Sequence, residues 1–325
     1  MTRIKNAILL LAIAVAAAQA AVDPQLLNLV ASDAKVISGV HVDATKSSVF
    51  GQYVLSQMQS DDQDFQKFIS DTGFDPRRDL TEIVVATGSK SDDGSLLVVG
   101  RGRFNMARFI SAAVAAGANQ TTYAGLQVLT HNPNSDGALA FLDASTAVMG
   151  GMKAVQAAID RKNAASPALT EATLNKIRLL SEANDAWFMT TGPLTDFFAG
   201  KIADPNLSGA MQGNLLQAVL QANGGIKFAA DKVQINGEAL TRSDKDAQAL
   251  ADVVRFIAGL VQMNKGSDQQ AQQIASLLDG MQVSTQAATM RLSLNIPESM
   301  MEQLFVPKVN APHGAVRGKK RAALR

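Results

Sequence analysis

Apolar and polar residues alternate in several short stretches, and this two-residue period predicts strands. From Lys35 to Asp43, Val36, Ser38, Val40 and Val42 alternate with Lys35, Ile37, Gly39 and His41. Strands are predicted likewise at 82–87, 96–100, 123–130, 138–142 and 147–150. In the second half they are predicted at 186–191, 226–230, 233–240, 281–286 and 289–296. The last is the clearest, with Met290, Leu292, Leu294 and Ile296 alternating with Arg291, Ser293 and Asn295.

Between the strands the apolar period lengthens to that of a helix. Phe50, Tyr53, Val54 and Met58 form one stripe, and Phe65, Phe68 and Ile69 continue it. Thr45, Ser47 or Ser48 can cap its start, and Gly73 and Pro76 end it. In 104–116, Met106, Phe109, Ile110, Ala113 and Val114 share one face. Further helices are predicted at 152–161, 194–202, 211–221 and 269–278. A long one presents Leu250, Val253, Val254, Ile257, Ala258 and Val261, and Pro297 opens a short one ending near Phe305.

Each half therefore reads β-α-β-β-α-β with an extra strand and helix, the order of a ferredoxin-like unit. Half-polar strands suit a mainly antiparallel sheet with helices on one face. The expectation is an α+β protein with two tandem ferredoxin-like halves, 21–162 and 172–305, joined by a Pro167-containing connector. A single continuous sheet built from both halves is the alternative.

The termini differ from this body. A basic stretch, Thr2 to Asn6, precedes 12 apolar residues, Ala7 to Ala18, and then Ala18-Gln19-Ala20. That order is a secretory signal peptide over 1–20, cleaved between Ala20 and Ala21. The apolar run is shorter than the ~20 residues a bilayer span needs. Secretion or export to a periplasm is expected, with no transmembrane segment after cleavage. Losing Arg3 and Lys5 from the 30 basic residues leaves 28 against 29 acidic ones. Residues 306–325 hold Lys308, Arg317, Lys319, Lys320, Arg321 and Arg325 and no acid. An acidic body thus carries a basic tail, expected to be disordered, since Pro307, Pro312 and Gly318 oppose a helix.

Three segments carry a resemblance. They are Leu26-Leu27-Asn28-Leu29-Val30 with Asp33-Ala34-Lys35-Val36, then Ser48 to Tyr53, then Gly73-Phe74-Asp75-Pro76-Arg77-Arg78-Asp79-Leu80. They resemble secreted bacterial proteins of unknown function. The resemblance implies export and a tandem α+β architecture, and it brings no activity and no site residues.

Composition narrows the chemistry. The chain has 325 residues, 47% of them hydrophobic, enough for a packed core. With no cysteine, disulfides, thiolate metal sites and cysteine nucleophiles are excluded. The three histidines, His41, His131 and His313, are far apart, so no metal site and no cofactor is expected. Asp61-Asp62-Gln63-Asp64 lacks the glycine and distal glutamate of a calcium loop and reads as an acidic helix start. Ser32-Asp33-Ala34-Lys35 fits S-x-x-K, but no S-D-N or K-T-G follows, and no G-x-S-x-G is present. Trp187 and Tyr123 lie in predicted strands and read as packing residues. Gly100-Arg101-Gly102-Arg103 precedes a helix, so Arg101 and Arg103 are the candidate contacts for an anion. Few aromatics argue against base stacking, so nucleic acid is not expected as a partner. The expectation is a non-catalytic module that binds a protein or an anionic envelope component. The alternatives are a carrier of an apolar ligand and a hydrolase with an unrecognised site.

Overall fold

The structure is a computed structural model. It describes residues 21–48, 51–52, 63–88, 94–132, 136–164, 166–193, 214–229, 231–263, 269–297 and 300. The predicted signal segment up to Ala20, the predicted helix 194–202, most of the Phe50–Met58 stripe and the tail 306–325 lie outside these residues.

In chain order the elements are α1 (Pro24–Leu27), β1 (Val36–His41), α2 (Val42–Ser47), α3 (Gln63–Thr72), α4 (Pro76–Asp79), β2 (Leu80–Thr87) and β3 (Leu97–Gly102). Then come α5 (Met106–Ala115), β4 (Asn119–Tyr123), β5 (Leu126–Thr130), β6 (Gly137–Asp143), β7 (Thr146–Gly151), α6 (Met152–Arg161), α7 (Glu171–Ala183) and β8 (Ala186–Thr190). The rest are α8 (Asn214–Ala218), β9 (Val219–Phe228), β10 (Lys232–Thr241), α9 (Asp244–Met263), α10 (Gln269–Leu277), β11 (Gln282–Gln286) and β12 (Thr289–Pro297).

All the strands join one 12-stranded sheet, in the order β11-β12-β10-β9-β8-β1-β2-β3-β7-β6-β5-β4. Every pairing is antiparallel. The α+β class and the antiparallel sheet hold. The tandem ferredoxin-like halves are not confirmed, because a split β-α-β unit needs parallel strands and none of the pairings supplies them.

Register shows which face each element covers. Ile37, Gly39 and His41 stand opposite Ala86, Val84 and Glu82, and opposite Met189 and Trp187 on the other side. This face packs against Leu26 and Val30 near the N-terminus, Val155 and Ile159 of α6 and Ile177 of α7 to form the main core. Met189 pairs with Asn223, so Ala222 points to the opposite face. There, Ala222, Ala239 and Met290 pack on Leu250 and Ala251 of α9. Helices therefore cover both faces rather than one, and the covered face changes at β9. Gly39 makes room for the buried Trp187, because a Cβ on Gly39 would lie 2.5 Å from the indole.

Three predicted elements are corrected. The single strand expected over 123–130 is a hairpin of β4 and β5, turned at Ala124 and Gly125 with positive φ. The helix α7 was not anticipated, although Thr170 caps it by accepting from the Thr173 N–H. The helix expected over 211–221 ends at Ala218, and β9 begins at Val219.

Candidate functional site

The sheet register assembles a polar row inside the main core. On one rung His41 faces Glu82, Glu82 faces Arg101, and Arg101 faces Thr146. Directly opposed residues share a face of the sheet, so four side chains from β1, β2, β3 and β7 line up. The first residues after Ala21 strap this row. The Val22 N–H donates to Ser181 Oγ, and the Asp23 N–H donates to Glu82 Oε2 at 3.3 Å. Arg101 is bound to the Asp23 carboxylate, to Gln25 Oε1 at 3.0 Å and to Thr146 Oγ1 at 2.7 Å.

Hydrogen bonding fixes the tautomer of His41. Its Nε2 lies 3.2 Å from the Ser181 carbonyl oxygen, which only accepts, so Nε2 carries the hydrogen. Nδ1 then faces Glu82 Oε1 at 3.6 Å, beyond hydrogen-bond reach. Glu82 Oε1 is buried and makes no hydrogen bond in the unprotonated form. A proton on Oε1 would point at Nδ1. Burial pushes the Glu82 carboxyl up to about 7, with the Asp23 N–H and Arg101 pulling the other way. Burial also lowers the imidazole pKa of His41, against the Ser181 carbonyl and the Asp185 charge. The pair lines none of the clefts described below.

The two arginines expected to contact an anion are both turned toward carboxylates. Arg101 belongs to the polar row. Arg103 is exposed, 3.6 Å from Asp79, whose buried carboxylate also takes two hydrogen bonds from Arg78. The Arg78 hydrogen bonds hold the Asp79 carboxyl below its usual range. Asp75 accepts from the Arg77 N–H and guanidinium, so the Asp-Pro-Arg-Arg-Asp segment is a closed knot of ion pairs. Asn105 follows Arg103 and caps α5 by accepting from the Arg108 N–H.

A cleft of about 450 Å³ opens at the other end of β1 and β2. Among the described residues Lys35, Lys153 and Arg161 line it with Asp33 as the one carboxylate, and Thr87, Ser95, two glycines, Leu97 and several alanines complete the walls. Lys35 starts β1, where its N–H donates to the Thr87 carbonyl. Lys153, Ala157 and Arg161 recur at four-residue spacing along α6, which puts them on one face. Arg161 is anchored through Nε and Nη2 to the Leu29 carbonyl, at 3.0 and 2.7 Å. Burial lowers its pKa, and Asp33 and Asp160 oppose that. Neither Lys35 nor Lys153 has an ion-pair partner among the described residues. Among the described lining residues three cations face one carboxylate, which makes this cleft attractive to an anion.

His131 is exposed and far in the sheet order from His41, and His313 lies outside the described residues. Among the described residues no three His, Asp or Glu groups are placed to hold a metal ion. Asp64 stands in the first turn of α3, as an acidic helix start, while Asp61 and Asp62 lie outside the described residues. Trp187 is buried, and the Tyr123 hydroxyl donates to Asp160 Oδ2 at 2.9 Å. Sequence reasoning missed the Glu82–His41 pair and the Lys35–Lys153–Arg161 cleft. The available signal for Glu82 was a carboxylate in an otherwise apolar strand. Lys35 and Arg161 are 126 positions apart, and only the fold joins them.

No family model matches the chain, and no curated protein matches it. Among solved structures it is similar to TP0453. Crystal form III aligns at a TM-score of 0.51 and 12% identity, covering 86% of this chain and 96% of that one. Crystal form I aligns at 0.48 and 11% identity, covering 88% and 97%. The likeness to form III is one of fold. No described helix is long and apolar enough to cross a membrane.

Proposed function

We propose that the chain is an exported, non-catalytic binding module that takes an anionic group of an envelope component into the Lys35–Lys153–Arg161 cleft. The observation that carries this reading is the charge of that cleft, with two ammonium groups unpaired among the described residues and a half-anchored guanidinium around one opening. The basic tail supports the same partner chemistry from the sequence side. Near an anionic surface each basic residue is worth about 1 kcal/mol, so the tail adds weak, salt-sensitive attraction. Export rests on the order of residues 2–20, and N-terminal sequencing of the exported protein should begin at Ala21. A carrier of apolar ligands needs walls free of charge, whereas three cations line this cleft beside its alanines.

The test is co-sedimentation with vesicles containing phosphatidylglycerol, at low and high salt. The full chain, a chain ending at Phe305 and the double variant Lys35→Glu, Lys153→Glu are compared. The double variant should lose binding beyond what the truncation loses, and high salt should abolish both contributions. Equal sedimentation of all three proteins, or binding indifferent to salt, overturns the proposal.

A further inference from the structure

The second half of the sheet carries two polar rungs on the face that α7 flanks. One runs Asn223, Glu238, Arg291, Ser284 across β9, β10, β12 and β11. The next runs Gly225, Asn236, Ser293, Gln282. Opposed residues share a face at about 5 Å spacing, so the two rungs tile one patch. Lys176, Leu179 and Asn184, on and just after α7, wall it in, and the enclosed cleft measures about 420 Å³, within the range of small-ligand sites.

Its hydrogen-bond inventory is unbalanced. Asn184 is fully committed to the fold: its Nδ2 donates to the Leu180 carbonyl, and its Oδ1 accepts from Asn236 Nδ2. Gly225 exists to admit it, since a Cβ there would lie 2.2 Å from the Asn184 carboxamide. Asn223 is the opposite case. It is 7% exposed, lines the cleft, and its carboxamide makes no hydrogen bond within the described residues. A carboxamide that the fold leaves uncommitted at the wall of a cleft has a donor and an acceptor free for a ligand. Beside it, Glu238 is held between Lys176 and Arg291 at 2.9 Å each, so this ion cluster carries one net positive charge.

We propose that this cleft binds a short peptide. The Asn223 carboxamide pairs its donor and acceptor with a backbone amide of the ligand. The surplus positive charge of Lys176 and Arg291 receives the ligand's terminal carboxylate. The exposed Leu179 offers an apolar wall for a side chain. A carbohydrate of similar size would stack on an aromatic ring, and none of the residues lining the cleft is aromatic. The site is separate from the cationic cleft on the other side of β1, and its chemistry is different.

The experiment titrates trialanine into the full chain by calorimetry, with maltotriose and C-terminally amidated trialanine in parallel. The parent should bind trialanine. Asn223→Leu keeps the size and removes the amide, and it should weaken binding roughly tenfold or more. Ser293→Ala, on the neighbouring rung, tests the same surface without touching a buried residue and should weaken binding less. Amidating the ligand should cost a comparable factor, and Lys153→Glu in the other cleft should change nothing. Failure of the parent to bind trialanine overturns the proposal. So does unchanged binding by both cleft variants, or binding of maltotriose in place of the peptide.

Discussion

At Glu82 a buried carboxyl and a half-buried imidazole impose opposite pH dependences on the same rung. The Glu82 pKa rises from 4.5 to about 7 on folding. Between those values the folded protein holds a proton that the unfolded chain has released, so stability falls as pH rises through that window. His41 is lowered instead, so its contribution is present above the ordinary imidazole value and is lost as pH falls. Glu82→Gln keeps an acceptor for the Asp23 N–H and places an N–H donor toward His41 Nδ1. It should therefore stabilise the protein at pH 8 by on the order of 2 kcal/mol, discounted for partial exposure, and gain almost nothing at pH 4. Urea unfolding at the two pH values checks this, and an equal effect at both would refute a proton held on Glu82 by burial. Gly39 poses a steric question instead. Its Cα faces the Trp187 indole, so Gly39→Ala should cost about 1–3 kcal/mol and shift the tryptophan fluorescence.

Among the elements, α7 shows how a helix escapes pattern reading. Its buried positions are Ile177, Leu180 and Ser181, while Leu179 is exposed, so polar and apolar residues exchange their usual places. Its start is held by Thr170, and Thr170→Ala should lower stability by about 1 kcal/mol in urea unfolding, the usual cost of a lost N-cap. An unchanged midpoint would mean that packing alone sets this helix. The regular strands were legible because alternation survives in them: β1, β10 and β12 fall within a residue or two of expectation. β9 was half hidden because Asn223-Gly224-Gly225 reads as a turn. In the sheet those glycines are required by close approach, since a Cβ on Gly224 would lie 2.4 Å from the Asn236 carbonyl oxygen. The β4–β5 hairpin was hidden for the converse reason. Its turn places a non-glycine residue, Ala124, at positive φ, which sequence patterns do not anticipate. The site residues were less legible than the strands, because Lys35 and Arg161, like Asn223 and Arg291, come to line one cleft only through register and layer order.

For the whole molecule, the decisive pairing is β1 with β8, five residue pairs that splice the two halves into one sheet. Without it, the segment up to Arg161 and the segment from Glu171 would be two separate sheets. With it, Met189 and Trp187 of β8 are buried in the same core as Ile37, Val84 and Val99. Met189 also stands opposite Asn223 on β9, which continues to β10, β12 and the α9 cluster. Continuous pairing with a shared core predicts one cooperative unit rather than two independently melting halves. Met189→Ala tests this, because the side chain is fully buried and its truncation should cost about 2–5 kcal/mol. Hydrogen exchange then reads each half separately. Protection should fall by the same free energy in β6 and β7, near one end of the sheet, and in β10 and β12, near the other. A loss confined to one side of β8 would mean that the splice joins the halves in space without coupling them in energy.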